Sequence, residues 1–267
     1  MSRIISALVL FPIVVVLLIF GNVYVIDIAF SIVALMAMNE YFNAFKNKAN
    51  PVTWLGYISC ILIAFIHMIP ADKVVTIIGV GIPTVFFILF LQVIVTNMKT
   101  TYNDIAITFF GICYIVGFIM FLPLLLGEPN GKILIWYIVF FAWGTDVVAY
   151  IFGKHFGKHK FSKVSPNKSI EGCISGTIGA IIIGLVYTFV INSCFNVNMN
   201  ISYIVIALIS FALSIIGQIG DFAASSIKRY TNIKDFSNLI PGHGGMLDRI
   251  DSVIFIAPFA YFLLIMI

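Results

Sequence analysis

The stretch ILIWYIVFFAWGTDVVAYIF, Ile133–Phe152, is 20 residues long and carries one charged side chain, Asp146. About 20 apolar residues in a helix span the roughly 30 Å hydrocarbon core of a bilayer, so this run reads as a membrane-spanning helix. The runs around it read the same way. Candidate spans lie near 4–20, 22–44, 54–70, 74–95, 104–126, 132–152, 172–192, 201–222 and 249–267, separated by short polar breaks. Of the 267 residues, 61% are apolar and 10% charged, against roughly 45–50% and about 25% in soluble domains. So little charge cannot cover a water-exposed globule. The expected fold is an all-α integral membrane protein of about nine transmembrane helices. Disorder, nucleic-acid binding and a disulfide-stapled secreted fold are excluded by the same arithmetic. The cysteines Cys60, Cys113, Cys173 and Cys194 are scattered through apolar runs and read as small packed or lipid-facing residues.

Lysine and arginine placement sets the orientation. With nine spans and a cytoplasmic N-terminus, 13 of the 15 bases face the cytoplasm, leaving Lys73 and Lys132 outside. The C-terminus then lies outside, and two polar loops, about 153–171 and 220–248, face inward. The first run lacks an A-x-A-like cleavage site and another span follows at once, so it reads as a retained helix rather than a signal peptide. Residues 1–267 read as a single polytopic domain: N-terminal helices over 1–100, middle helices and a basic loop over 101–171, and C-terminal helices over 172–267 with a signature loop at 220–251. The lack of a long soluble extension points to a bacterial plasma membrane.

Ionisable residues are costly in a membrane, so each is a functional candidate. Asp146, Glu171, Asp221, Asp235, Asp248 and Asp251 fall in or beside the two inward loops, among nine bases. The first loop is basic and glycine-punctuated, and the positive-inside rule accounts equally well for Lys158, Lys160 and Lys163. Within it, Ser165-Pro166-Asn167-Lys168-Ser169 precedes a span, where backbone amides and a lysine suit a phosphate. His155 and His159 have i,i+4 spacing, but the glycines of this stretch argue against a rigid helix there and so against a zinc pair. In the second loop, Asp221, Ser225 and Lys228 fall on one helical stripe. Carboxylate, hydroxyl and ammonium together suit a metal–phosphate site; a plain Asp221–Lys228 ion pair is the simpler reading. Pro241-Gly242-His243-Gly244-Gly245 allows close backbone approach to a ligand. Asp248 and Asp251 open the last helix, where either alone could serve as a cap. Oxygen donors without a Cys–His set favour a hard cation such as magnesium.

These residues resemble the phosphatidate cytidylyltransferase (CDP-diacylglycerol synthase) family. Ser225, Lys228, Arg229, Lys234, Asp235, Ser237, Pro241, His243, Gly244, Gly245, Asp248, Arg249 and Asp251 match its signature in order and spacing over 27 residues. The 165–172 stretch and the Asp146, Ala149-Tyr150, Gly153 region are similar to the family too. The first half agrees only in being hydrophobic, with Glu40 near the cytoplasmic end of its second span. Asn167 and Ser169 depart from the lysine and threonine common there. The resemblance implies transfer of the cytidylyl group of CTP to phosphatidate, giving CDP-diacylglycerol and pyrophosphate at the cytoplasmic face. It implies Asp221, Asp248, Lys228 and His243 as catalytic residues, and Ser165, Lys168, Ser225, Arg229, Lys234 and Arg249 as substrate-binding residues. The metal ligands it implies are Asp221 and Asp248, with Asp146 or Asp251 in support, for Mg2+ and room for a second cation. The expected partners are the two substrates and membrane lipid, with no nucleic acid; a homodimer is compatible with the pattern. A CTP-dependent lipid kinase of the polyprenol or dolichol type is the alternative enzyme. A multi-span transporter, with Asp146 and Glu40 lining a path, is the alternative outside enzymes.

Overall fold

The computed structural model describes residues 2–162, 165, 168–194, 201–242 and 244–265. Among them, regular structure is entirely helical. In chain order the helices are α1 (Ser2–Phe20), α2 (Val23–Phe45), α3 (Thr53–Leu62), α4 (Ala71–Val95), α5 (Tyr102–Gly111), α6 (Gly117–Ile119), α7 (Phe121–Gly127), α8 (Gly131–Phe156), α9 (Ile170–Cys194), α10 (Tyr203–Tyr230) and α11 (Leu247–Ile265). A 3₁₀ segment, Ile63–Met68, prolongs α3, and a π-helical turn, Ile112–Val116, links α5 to α6.

Among the described residues, six helices are long and apolar enough to cross a membrane: Val23–Phe45, Thr76–Val95, Tyr102–Gly127, Gly131–Phe156, Ile170–Cys194 and Tyr203–Tyr230. They coincide with six of the nine expected runs to within a few residues, except that α10 continues to Tyr230. The three other expected runs are also helical, over Ser2–Phe20, Thr53–Met68 and Leu247–Ile265. The run at Thr53–Met68 changes from α to 3₁₀ at Ile63, and the last helix opens on Asp248, Arg249 and Asp251 and contains Pro258. Large apolar side chains such as Phe87, Ile94, Val95 and Ile204 stand exposed along the helices, the distribution expected where lipid replaces water.

The chain forms two compact units, Met1–Gly127 with Tyr230–Arg249, and Glu128–Arg229 with Ile250–Ile267. In the first unit, α2 is the central helix. Its N-terminus is capped by Asn22, whose side chain accepts the Val25 amide at 2.9 Å. Two polar groups on its buried face find partners: Ser31 Oγ donates to the Cys60 carbonyl at 3.0 Å, and Asp27 lies 2.8 Å from His67 Nδ1. The other end of the unit is pinned by a capping box at Thr101 and Asp104. There Asp104 Oδ1 accepts the Asn50 amide at 2.6 Å, and Thr108 Oγ1 accepts the Val52 amide at 2.8 Å. The first turns of α5 are thereby tied to the chain leaving α2.

The second unit is built on the α8–α9 pair. Gly172, Gly176, Ala180, Gly184 and Thr188 recur every four residues down one buried face of α9. Helices associate in lipid through close backbone approach, and small residues at that spacing allow it. A Cβ added at Gly176 would sit 2.9 Å from the Thr145 carbonyl, and one at Gly184 would sit 2.9 Å from the Phe141 ring. A polar network crosses the unit: Thr145 Oγ1 donates to Ser214 Oγ at 3.2 Å, and Gln218 Nε2 donates to Thr177 Oγ1 at 3.0 Å. Gly176→Leu should therefore force α8 and α9 apart, since overpacking against backbone costs about 1–3 kcal/mol or more. At about 2–4 °C per kcal/mol, the expected result is a clearly lowered unfolding midpoint in detergent. An unchanged midpoint would remove the close approach as the source of cohesion.

Candidate active site

Six residues singled out in the sequence lie on helices of the second unit: Asp146 on α8, Asp221, Ser225, Lys228 and Arg229 on α10, and Asp251 on α11. Lys168 joins them from the loop between α8 and α9. That loop folds back on itself: Ile170 N donates to the His159 carbonyl at 3.0 Å and Phe161 N to the Lys168 carbonyl at 3.0 Å. The Ser165 carbonyl accepts the Lys168 amide at 3.2 Å. Ser169 caps α9, its Oγ accepting the Gly172 amide at 3.1 Å. The glycines flanking this loop, on α8 and α9, have a steric reason. A Cβ on Gly153 or on Gly172 would sit 3.0 Å from Ser169 Oγ, so both must be bare for the cap to settle against the end of α8.

The fold-back delivers Lys168 to Asp221, with which it forms an ion pair. Its ammonium also lies 4.9 Å from the centroid of the Phe222 ring, onto which Phe161 stacks at 4.5 Å. Asp221 is thus paired across the unit, to Lys168, in addition to accepting Ser225 Oγ at 3.4 Å one turn along α10. Desolvation alone would depress the Lys168 pKa; the charges of Asp221, Asp146 and Asp251 outweigh it and raise the value above the ordinary 10.5. Three carboxylates therefore share the field of one ammonium. Lys228 and Asp221 both act electrostatically on the buried Asp251. Ser252 N donates to Asp251 Oδ1 at 2.7 Å, while the buried Ser252 hydroxyl has no partner among the described residues.

Among the described residues, no group of three or more His, Cys, Asp or Glu side chains is drawn together tightly enough to hold a metal ion as it stands. The donor chemistry nevertheless fits a hard cation: three carboxylates and an unsatisfied hydroxyl are all oxygen donors. The Lys168 ammonium occupies, at Asp221, the place of a positive charge. His155 lies in the last turn of α8, which ends at Phe156, and His159 lies beyond it. His155 Nδ1 contacts the Ile151 carbonyl and His159 Nδ1 contacts Glu171.

In the first unit, the glycine-rich segment between α10 and α11 is organised by Asp248. Its Oδ2 accepts the amides of Phe236 and Gly245, each at 2.9 Å. Gly244 takes φ +83°, a left-handed conformation that favours glycine, and a Cβ there would meet Asp248 Oδ2 at 2.9 Å. Ile240 N bonds back to the Gly244 carbonyl at 2.9 Å. Asp248 is thus more than a helix cap: it folds the segment that precedes its own helix. Lys234 and Arg249 are exposed on this unit. His243, Lys163, Pro166 and Asn167 lie outside the described residues.

The sequence left Glu40 without a role in the site. Its carboxylate, on α2, accepts Ser237 Oγ at 2.6 Å, Met246 N at 2.9 Å and Leu247 N at 2.8 Å. A cleft of about 270 Å³ lies beside it, lined also by Asn39, Asn43, Phe236 and Leu239. The signal was present, an acid within an apolar run, but its partners lie about two hundred residues away.

The model of the family described as "Cytidylyltransferase family" matches residues 1–267. The chain is 33% identical over 267 residues to a Staphylococcus haemolyticus protein named phosphatidate cytidylyltransferase, covering 99% of this chain and 97% of that one. It is 35% identical over 187 residues to a protein of the same name from Bacillus subtilis, covering 67% of this chain and 66% of that one. A Staphylococcus aureus (strain N315) protein, also so named, is 33% identical over 274 residues and covers 99% and 97%.

Proposed function

The chain belongs to the cytidylyltransferase family, and on that premise we propose the following account of its chemistry. It transfers the cytidylyl group of CTP to phosphatidate, giving CDP-diacylglycerol and pyrophosphate. A phosphate monoester has its second pKa near about 6, so phosphatidate brings its own oxyanion at neutral pH. That oxyanion forms a bond to the α-phosphorus as the bond to the β-phosphate oxygen breaks, and pyrophosphate leaves. No serine or cysteine nucleophile is needed. The protein's part is to align two polyanions in line and to neutralise charge at the reacting phosphorus.

The observation that carries this account is the Lys168–Asp221 pair set among Asp146, Asp251 and Lys228. Cations and oxygen donors held together in this way suit a metal-bound triphosphate. Asp221, Asp251 and Asp146 would hold Mg2+, and Asp248 is the further ligand that the family pattern implies. When bound, Mg2+ supplies charge neutralisation at the phosphate oxygens. Before polyanions arrive, Lys168 and Asp221 neutralise one another; a triphosphate competes with Asp221 for the ammonium. Lys228, Arg229, Lys234 and Arg249 are the remaining phosphate clamps, Ser165 and Ser225 substrate-binding hydroxyls, and His243 orients a phosphate.

The reaction belongs at a membrane surface, where a soluble nucleotide can meet a lipid headgroup. The bias of lysine and arginine supports nine crossings, a cytoplasmic N-terminus and a cytoplasmic site. The bacterial sources of the relatives support a plasma-membrane location.

Purified protein given phosphatidate and CTP labelled at the α-phosphate, with Mg2+, is expected to move label into lipid and release one pyrophosphate per CDP-diacylglycerol. Chelating Mg2+ should stop it. Transfer of γ-label to lipid instead would overturn the account in favour of a kinase.

A further inference from the structure

Glu40 and the glycine-rich segment are joined by three hydrogen bonds that span about two hundred residues of sequence. Its side chain is buried with the residue 4% exposed. An ionised carboxylate is purely an acceptor, with about four lone-pair sites. Here Oε1 takes the Ser237 hydroxyl and the Met246 amide, and Oε2 takes the Leu247 amide. The donors come from both ends of the segment, so one carboxylate closes it.

Asp248 works on the neighbouring positions. It takes the amides of Phe236 and Gly245, each adjacent in sequence to a group held by Glu40. The two carboxylates thus tie the segment twice, one from α2 and one from α11. Between the ties, among the described residues, the segment's regular pairing is the isolated Ile240–Gly244 bridge. Its conformation therefore depends on acceptors outside itself.

Gly245 carries a second mark of the same contact. A Cβ there would lie 2.4 Å from Glu40 Oε2 and 2.7 Å from Oε1. The bare backbone at Gly245 is what lets the carboxylate reach Met246 and Leu247. The small side chain at Ser237 has a matching reason, since its hydroxyl is the third donor. Two positions of the signature loop are thus explained by a residue outside it.

We propose that Glu40 is a positioning residue for cytidylyl transfer. It fixes the Ser237–Leu247 segment, which carries His243 in the sequence, and with it the approach to Asp248. Glu40 acts through the segment and forms no bond to the reacting atoms. This inference rests on the reaction assigned above.

The test is α-label transfer by Glu40→Gln, Glu40→Asp, Glu40→Ala, Ser237→Ala and Gly245→Ala, together with the double variant Glu40→Ala/Gly245→Ala. Glutamine keeps the size but turns an amide NH2, a donor, toward a backbone N–H. Misplacement of about 1 Å can cost roughly a hundredfold in rate. Glu40→Gln should therefore lose about that much kcat, with KM for CTP moving far less, and Glu40→Asp should recover part. Gly245→Ala should be costly alone and nearly silent once Glu40 is alanine, because its new methyl then meets no carboxylate. Unfolding midpoints and elution profiles in detergent report the folded fraction, and kcat is expressed per folded molecule. If Glu40→Ala does not fold, Glu40→Gln and Ser237→Ala carry the comparison. Glu40→Gln with wild-type kcat per folded molecule would overturn the inference. So would independent, additive losses in the double variant. An inactive wild type overturns the reaction assignment and the inference with it, whereas active wild type with equally active Glu40 variants overturns the inference alone.

Discussion

Asp221→Ala is expected to lower cytidylyl transfer by about a thousandfold or more, the scale on which loss of charge stabilisation at a reacting centre is felt. Two roles for Asp221 must be separated. As counter-ion it holds Lys168; as oxygen donor it would hold the cation. The paired variant Asp221→Ala/Lys168→Met distinguishes them. If Asp221 serves only to neutralise Lys168, removing both groups restores most of the activity lost with one. If Asp221 holds the cation, the double variant stays inactive, and that is the expected outcome. A pH profile adds a check with a definite sign. The raised pKa of Lys168 keeps its ammonium charged throughout the range below 10.5. Its favourable contribution is present at lower pH and is lost only as pH rises through the folded value. Lys168 should therefore add no inflection to activity between about pH 6 and 9. An inflection there that vanishes in Lys168→Met would contradict the strength of the ion pair.

The parts of this architecture that could be read from sequence are those set by local composition. The run at Ile133–Phe152 gave α8 because length and apolarity alone specify a spanning helix, and the same holds for five other runs. Beyond the apolar run, α10 continues to Tyr230, as the stripe of Asp221, Ser225 and Lys228 leads one to expect. The break of α3 into a 3₁₀ segment left no mark that hydropathy could show. Among site residues, Asp146, Lys168, Asp221 and Asp251 stood out as charges in an apolar chain, and the structure places them in one electrostatic group. Which charge meets which was not legible: Asp221 has a candidate partner, Lys228, nearly two turns along the same stripe of its own helix, and it forms an ion pair with the loop residue Lys168. Glu40 shows the same limit more sharply. Its three donors are brought to it by tertiary structure, and no spacing in the sequence connects them.

Asp248 invites a prediction in which the conservative substitution is the informative one. Its Oδ2 accepts both the Phe236 and the Gly245 amides. Asparagine retains one carbonyl oxygen with two lone pairs, so Asp248→Asn can keep both hydrogen bonds while losing the negative charge. Alanine keeps neither, and stranding two buried amides costs about 1–3 kcal/mol each. Asp248→Ala should consequently lower the unfolding midpoint, whereas Asp248→Asn should leave it near the wild-type value. Activity should not follow stability. On the proposed role of Asp248 as a cation ligand, both variants are expected to lose about a hundredfold or more in kcat, since an amide dipole would not replace the charge there. Raising the Mg2+ concentration should recover part of the loss in Asp248→Asn, where the segment keeps its shape, and little in Asp248→Ala. Near-normal turnover by Asp248→Asn would reduce Asp248 to an anchor of the glycine-rich segment and leave the cation to Asp221, Asp251 and Asp146. A fall in midpoint equal to that of alanine would instead show that the charge itself holds the two amides, because a charged acceptor binds roughly twice as strongly as a neutral one.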